Sequence, residues 1–499
     1  MNATPAWSRH AICWHLYPLG ALGCPQLAPE GNPQDPSSPA GQERAQHRFR
    51  HLEGWLDYVL ELGCNVIILG PIFRSMSHGY DTVDYFDIDP RLGDESDVLS
   101  FIEQAHRRGI KVIADGVFNH VGKDFPLFAE LPVTGPHSTA ANMFHLTWPG
   151  GVDNWTEGLA PDYQRFEGQD WLPELNHDSE DVSALVLEVM TYWCERGIDG
   201  WRLDAAYAVN PHFWSTVLPQ VRQRFPEVFI FGEVIHGDYP AIVHESGMDS
   251  VTEYELWKSI WSSLASGNFF ELEWTLRRHE EFCHAFVPLT FVGNHDTTRI
   301  ASQCIDTALL PLAITCLLTL PGLPCVYYGD EQGYRGVKED RIGGDNDIRP
   351  VLPDSPADFS PLGQPILRQH QELIALRRRT PWLYDAVVHT EHVTNEQVVY
   401  TLSPRTNGDQ MADDARQAAE RGQVVTVVLN SQGAKHGGPS LPPEQELQPA
   451  SSPSPIALDV PGQFMLASSP GVQHQPHSDG NGSRLVMPSC SWAILASVR

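Results

Sequence analysis

Eight short runs of apolar and β-branched residues recur through the first two thirds of the chain, and helical patterns separate most of them. Near-continuous apolar runs are typical of strands that are buried on both faces of a parallel sheet. Strands of this kind alternating with helices predict an α/β fold of the TIM-barrel type, the (β/α)8 barrel. The predicted strands are 12–17, 66–69, 112–117, 200–203, 228–232, 250–253, 288–292 and 325–328, and the clearest helical patterns are 51–62, 97–108 and 182–196.

Two departures from this repeat predict further domains. The connection after the third strand is too long for a plain loop and is rich in Pro, Gly and Trp, which favours a small inserted domain. Near the C-terminus the pattern changes to alternating strands, which predicts an antiparallel β-sandwich with loops at 437–454 and 469–483. The predicted domains are the barrel at 1–120 and 176–382, the inserted domain B at 121–175 and the C-terminal β-sandwich at 383–499.

The composition narrows the class of partner. With 33 basic and 63 acidic residues the formal charge is −30, which disfavours nucleic acid and anionic membranes and fits a neutral ligand. Nine cysteines without a CxxC pair suggest reduced thiols rather than a disulfide framework or a zinc site, and hence a cytoplasmic address. Residues 1–22 lack the pattern of a signal peptide. The uncharged stretch 307–329 is interrupted by prolines, so we expect a buried helix and strand there, not a membrane span.

Polar residues follow the ends of several predicted strands. In a (β/α)8 barrel the functional groups lie at the carboxyl ends of the strands, so these residues should converge. Arg202 and Asp204 stand two apart on one strand face, where the cation would keep the carboxylate ionised, although a structural ion pair explains these two equally well on their own. The polar residues at these ends are Tyr80 and Asp81 after strand two, Asp115, Asn119 and His120 after strand three, Arg202 and Asp204 after strand four, Glu233 after strand five, and His295, Asp296 and Arg299 after strand seven. Three carboxylates, two histidines, an arginine and a tyrosine among them are expected to converge on one mouth of the barrel.

Five segments carry a resemblance to a known family. The chain resembles glycoside hydrolase family 13, the α-amylase family, over roughly residues 10 to 375. The match lies in four signature regions, in order and at compatible spacing, with a fifth inside the insert. These segments are DGVFNH at 115–120, GWRLD at 200–204, FGE at 231–233, VGNHD at 292–296 and LPEL at 172–175.

The resemblance implies a role for each matched residue. Asp204 would be the nucleophile that forms a covalent glycosyl-enzyme. Arg202 would keep the Asp204 carboxylate anionic and oriented toward the anomeric carbon. Glu233 would act first as general acid and then as base, and Asp296 would grip ring hydroxyls and favour the oxocarbenium-like transition state. Asp115 is expected to support neighbouring site residues rather than to contact the bond that is broken. The residues expected to bind substrate are Tyr80, Asp81, His120, Arg202, His236, His295, Asp345 and Arg349.

Further stretches resemble one group within the family, which comprises cyclomaltodextrinase, neopullulanase and maltogenic amylase. They are 70–75, 79–85, 89–93 and the donor-side segment 343–349. The chain departs from the group in two ways. The group's N-terminal β domain is expected to be missing, because the first strand begins near residue 11, and this leaves a monomer and a homodimer both open. The tryptophan expected two residues after the general acid is Ile235, although His236 is kept.

The implied activity is that of a retaining hydrolase that cleaves linear or cyclic malto-oligosaccharides to maltose-sized products. A transglycosylase or an α-1,6-glucosidase on the same site remains an alternative. A catalytically silent sugar-binding protein is disfavoured, because all three catalytic carboxylates are present. In the family, the residue that corresponds to Asn119 often binds calcium. The second calcium ligand, expected a few residues after the nucleophile, is missing from 204–208, so we expect no essential metal and no other cofactor.

Overall fold

The computed structural model describes residues 4–28, 45–341, 343–406, 417–418, 421–440, 454–478, 480 and 482–497. Its largest sheet has eight parallel strands in the order β6-β5-β4-β3-β2-β1-β8-β7, and an isolated parallel bridge between Thr252 and Leu289 joins its two ends into a barrel. The predicted (β/α)8 fold is therefore confirmed. The strands are β1 (Cys13–Leu16), β2 (Val66–Leu69), β3 (Lys111–Gly116), β4 (Gly200–Leu203), β5 (Phe229–Gly232), β6 (Ser250–Val251), β7 (Leu289–Phe291) and β8 (Leu323–Tyr327).

The apolar runs form strands because both faces of the sheet are buried. Along β2 the side chains alternate between two hydrophobic clusters: Val66 and Ile68 belong to one, and Ile67 and Leu69 to the other. The first cluster also contains Cys13 of the neighbouring strand β1. Period-two alternation with apolar residues on both faces is what a barrel sheet covered by helices requires.

The predicted helices are confirmed, with shifted ends. The first begins as a 3-10 turn at Arg48–Trp55 and continues as Leu56–Leu62, and the second starts earlier than its apolar pattern. Asp94 and Asp97 form a reciprocal capping box there, each side chain accepting from the other's backbone N–H. The longer helices are Glu95–Arg107, Glu180–Glu195, Pro211–Arg224, Tyr239–Ser246, Tyr254–Ser266, Phe269–Ala285, Leu310–Thr319 and Gln364–Arg379.

The uncharged stretch 307–329 folds as predicted, into the buried helix Leu310–Thr319 and strand β8. Within the described ranges no helix combines the length and the apolar character needed to cross a bilayer.

The insert between β3 and β4 packs around aromatic side chains that belong to the same buried cluster as the helices and strands of the barrel. It contains the helical turns Pro126–Ala129 and Leu131–Thr134 and a two-stranded antiparallel sheet of Leu146–Thr147 and Asp162–Tyr163. The ring of Phe128 packs edge-on against Phe144 and Tyr163, and Trp148 packs in the same way against Trp155. These aromatic residues are explained by packing, while the exact bounds of this domain stay a prediction.

The C-terminal region contains two antiparallel sheets, in the orders β9-β10-β11-β16-β13 and β12-β15-β14. A shared apolar cluster that includes Val428, Val460 and Leu485 joins them, which gives the predicted sandwich. Strand β14 lies inside 469–483, so the loop prediction there was wrong, and most of 437–454 falls outside the described residues. The strands are β9 (Val387–Val393), β10 (Gln397–Ser403), β11 (Val424–Asn430), β12 (Ile456–Val460), β13 (Phe464–Ser468), β14 (Gln473–Pro476), β15 (Ser483–Met487) and β16 (Ser491–Ser497).

A buried ion pair fastens the helix Phe269–Ala285 to the end of β6. Nδ1 of His279 lies 2.8 Å from a carboxylate oxygen of Glu253, and neither side chain is exposed. Burial opposes the charge on His279, but Cys283 and the Glu253 carboxylate outweigh it and raise the pKa of the imidazole well above 6.5. The pair therefore stabilises the fold fully below about pH 6.5 and less as the pH rises through the folded-state pKa.

We expect His279→Gln to destabilise the protein by about 3 kcal/mol near pH 6, because it leaves the Glu253 carboxylate buried without its cation. The difference from the wild type should narrow as the pH rises from about 6.5 through the folded-state pKa of His279. Thermal unfolding across this range measures it. His284→Gln is the matched control, because His284 is an exposed histidine on the same helix that pairs with Glu280. A pH-independent difference would contradict a charged His279.

Candidate active site

The backbone ladder of the barrel extends past the strand ends and fixes the positions of two carboxylates. Asp115 and Arg202 are paired in register between β3 and β4. Beyond the strands, the backbone N–H of Asp204 donates to the carbonyl of Gly116 at 3.0 Å, and that of Glu233 donates to the carbonyl of Leu203 at 2.8 Å. Both residues are therefore held by the same hydrogen-bonding pattern as the sheet itself.

Arg202 joins three carboxylates in the mouth of the barrel. Its Nη1 donates to Asp115 Oδ2 at 2.6 Å and to Asp204 Oδ1 at 3.1 Å, and its Nη2 lies 2.8 Å from Glu233 Oε1. All four side chains are buried. The predicted nucleophile and the predicted acid thus share one guanidinium, and Asp115 takes the position expected of a supporting residue.

The electrostatics of Asp204 follow from this crowding. Burial raises the pKa of its carboxyl well above the usual range, Arg202 opposes the rise, and the neighbouring Glu233 and Asp115 carboxylates add to it. Burial likewise raises the pKa of Asp115, against the pull of Arg202. The arginine is therefore the main interaction that keeps Asp204 available as an anion.

Glu233 has partners that the sequence did not reveal. Its Oε2 accepts from the backbone N–H of Ala205 at 3.1 Å, and Ala205 has φ of +46°, a left-handed conformation that is costly for a residue with a Cβ. Its Oε1 accepts from the Tyr254 hydroxyl at 3.1 Å, which in turn accepts from the Asn294 amide at 2.8 Å. Little in the sequence pointed to Tyr254 and Asn294 as partners of Glu233. Tyr254 follows the weakest predicted strand, and Asn294 lies inside the fourth signature segment.

Asp296 lies in a cationic environment. Its two oxygens contact Nε2 of His295 at 2.7 Å and Nη2 of Arg349 at 2.9 Å, and Arg349 also pairs with Asp345 at 3.0 Å. Burial alone would raise the pKa of Asp296, but His295 and Arg349 hold it well below its usual range. The protein therefore drives the pKa values of Asp204 and Asp296 apart, an arrangement typical of sites where carboxyl groups have different tasks.

Tyr80 connects the two halves of this network. Its hydroxyl donates to Asp115 Oδ2 at 3.1 Å and is hydrogen-bonded to Nε2 of His295. The rings of Tyr80 and His295 are nearly parallel, with centroids 5.1 Å apart. The predicted residues on strands two, three, four, five and seven are thus brought together by direct contacts.

Three predicted residues lie at the margin of this network. Nε2 of His120 bonds to the backbone carbonyl of Tyr80 at 2.9 Å, its ring stacks on Phe166 of the insert, and burial lowers the pKa of His120 to about 4. Asp81 accepts from the backbone N–H of Ser77 at 3.0 Å, which orders the loop after strand two. His236 is exposed and its ring lies 5.5 Å from that of Tyr207. His120 and Asp81 therefore make local contacts within the protein, and whether they touch substrate stays a prediction.

Comparison with known proteins identifies the family of this chain. Residues 52–408 match the model of the alpha amylase catalytic domain, which is more than half of the chain. The chain therefore belongs to the α-amylase family.

Within the family, individual proteins can be named as relatives. The chain is 31% identical over 387 residues to a cyclomaltodextrinase of Geobacillus thermopakistaniensis, an alignment that covers 75% of this chain and 63% of that enzyme. It is 32% identical over 450 residues to neopullulanase 2 of Thermoactinomyces vulgaris, covering 87% and 71% of the two chains. Among solved structures, the debranching enzyme of Nostoc punctiforme is 25% identical with a TM-score of 0.72, and both chains are fully covered. The first of these matches spans less than two thirds of the relative's length.

The position of Arg202 generates a prediction about pH. Arg202→Met removes the cation that opposes the raised pKa of Asp204. Because a nucleophilic carboxyl acts as the anion, the acid limb of kcat/KM should move to higher pH, by about one to three pH units.

The measurement is the pH dependence of hydrolysis of a malto-oligosaccharide. Arg222→Met is the matched control, because Arg222 is also a buried arginine, 2.8 Å from Asp249, but lies outside the network around Arg202. An unchanged acid limb in Arg202→Met would show that Asp204 does not depend on this cation.

Proposed function

We propose that the protein is a retaining glycoside hydrolase that cleaves α-glucosidic bonds in linear or cyclic malto-oligosaccharides, in the cytoplasm, and releases maltose-sized products. The observation that carries this proposal is the contact of the single Arg202 guanidinium with both Asp204 and Glu233. Two carboxyl groups on one small cation lie close together, as double displacement requires, whereas an inverting enzyme needs a wider gap for water.

In the first step, a carboxylate oxygen of Asp204 bonds to the anomeric carbon while the glycosidic carbon–oxygen bond breaks. Glu233 gives its proton to the departing oxygen, so the leaving sugar departs as a neutral alcohol. In the second step, Glu233 takes a proton from water, and the water oxygen bonds to the anomeric carbon and releases Asp204. Glu233 is thereby reprotonated, and the product keeps the α configuration.

The surrounding contacts suit these tasks. The backbone N–H of Ala205 and the hydroxyl of Tyr254 donate to the two carboxyl oxygens of Glu233, so the position of this side chain is fixed before substrate binds. Asp296 remains an anion, which suits it to bind ring hydroxyls and to stabilise positive charge at the anomeric centre. Asp345 and Arg349, which pair with each other at 3.0 Å, provide charged groups for the next sugar.

The charge of the chain and the names of its relatives support this substrate class. A formal charge of −30 disfavours polyanions, and the relatives are named for cyclic maltodextrins and pullulan-type substrates. On the acceptor side, Ile235 is 41% exposed where the group's large aromatic residue is expected. A transglycosylase or α-1,6-glucosidase remains the second candidate, because acceptor-side residues decide whether water or a sugar completes the reaction.

We further infer that the protein needs no metal or other cofactor and acts as a monomer or homodimer on a neutral oligosaccharide. The reaction above uses only side chains of this chain. Prolonged dialysis against EDTA should leave the rate unchanged, and a loss that calcium restores would overturn this inference.

A product time course tests the proposed activity. Maltotetraose, pullulan, panose and cyclic maltodextrins are incubated with the protein, and NMR reads the anomer that forms first. We expect ring opening followed by maltose with the α configuration. Products longer than the substrate would favour transglycosylation, and initial β-maltose would contradict a retaining mechanism.

Substitution of the two working carboxyls separates catalysis from binding. Asp204→Asn should lower kcat by at least about a thousandfold, because the nucleophile is lost, while oligosaccharide binding measured by calorimetry persists. Glu233→Gln should do the same for natural substrates but less for a glycosyl fluoride, whose leaving group needs no proton. Glu245→Gln, an exposed position on the helix Tyr239–Ser246, is the control. Full activity of Asp204→Asn would exclude it as the nucleophile.

A further inference from the structure

A histidine on β1 lies directly beneath the candidate site. His15 is 6% exposed, and its ring meets that of His295 edge-on, with centroids 5.1 Å apart and planes at 87°. Neither sequence pattern nor resemblance singled it out. The strand turns it toward the site because His15 follows Trp14, which packs outward against Trp55 and Tyr58.

Two buried nitrogens at this point lack partners. Nε2 of His15 and Nδ1 of His295 form no hydrogen bond within the part of the chain that the structure describes. An unsatisfied buried polar atom is costly, and two of them on neighbouring rings call for a shared partner.

A cavity borders both rings. Its volume is about 20 Å³, and it is lined by His15, His295, Arg202, Glu233 and Asn294 together with apolar residues of the barrel. This space is sufficient for one water molecule, and polar groups on several sides supply the two to four hydrogen bonds that a buried water needs.

The contacts of His295 determine which of its ring nitrogens is left for such a water. Nε2 of His295 lies 2.7 Å from the Asp296 carboxylate, and the Tyr80 hydroxyl already donates to Asp115. Nε2 must therefore carry the proton and donate to Asp296, with the Tyr80 oxygen as a second acceptor. Nδ1, which has no partner among the described residues, therefore needs one in the cavity.

We propose that His15 is a positioning residue: one water molecule in this cavity bridges its Nε2 and Nδ1 of His295. This relay holds the His295 ring with its Nε2–H directed at Asp296. Burial, together with the nearby His295 and Arg202, lowers the pKa of His15 well below 6.5 against the smaller opposing effect of Asp296, so its ring is neutral. A neutral ring avoids adding a second positive charge beside Arg202.

The role of His15 rests on the proposed function, because it acts through His295 and Asp296 on the transition state. His15→Phe keeps a ring of similar volume but removes its nitrogens, so kcat should fall about tenfold, as expected for one unsatisfied buried group. His15→Gln keeps an N–H donor of similar reach and should retain kcat within about threefold. His370→Phe, another buried histidine with a pKa lowered to about 4 and a partner on its own helix, is the control and should leave kcat unchanged.

A spectroscopic readout is independent of turnover. Ring nitrogen-15 shifts of histidine-labelled protein should show His15 as a neutral ring and His295 with a proton on Nε2, assigned by their loss in His15→Gln and His295→Gln. In His15→Phe the His295 signal should change, because its Nδ1 loses the ordered partner.

The outcomes separate the two proposals. A wild type without turnover would overturn the proposed function, yet the nitrogen shifts would still test the relay. Equal kcat values for His15→Phe, His15→Gln and the wild type would overturn the relay while the hydrolase activity stands. Equal losses in both variants would reduce His15 to a packing residue. A wild-type His295 without a proton on Nε2 overturns the relay even if His15→Phe does not fold.

Discussion

The arrangement of the site depends on one buried cation. Arg202 lies between Asp115, Asp204 and Glu233, and among the described residues it is the only side chain that forms an ion pair with any of the three. Removing the arginine would leave three carboxyl groups buried together, which the protein could relieve only by protonating them or by opening the site. The guanidinium thus sets the spacing, the orientation and the ionisation of the working groups at once.

The barrel makes this arrangement possible because register, not loop structure, places the charges. Asp115 and Arg202 face each other across β3 and β4, and the backbone bonds to Gly116 and Leu203 carry the ladder on to Asp204 and Glu233. Asp296 and Arg349 come from the opposite side of the mouth, and Tyr80 and His295 link the two sides. Sites built on rigid elements in this way hold their geometry before substrate binds.

Strand positions and signature residues could be predicted from the sequence because burial on both faces of a parallel sheet leaves a continuous apolar run, as in Val66–Leu69. Features that are fixed by tertiary contacts could not be predicted in this way. The left-handed Ala205, the hydroxyl of Tyr254 and the ring of His15 carry no local pattern, since each depends on what lies across the barrel. Strand β14 was not predicted because Gln, His and Pro are poor strand formers. In the structure, pairing with β15 outweighs this low strand propensity.

The central claim is that Asp204 forms a covalent bond to the sugar, and trapping that bond tests it most directly. A fluorinated α-glycosyl fluoride reacts quickly in the first step and slowly in the second, so the glycosyl-enzyme accumulates and can be digested and sequenced by mass spectrometry. We predict one added sugar per protein molecule, located on Asp204 and absent from Asp204→Asn. A sugar attached to another residue, or turnover with inverted product and no adduct, would contradict the assignment.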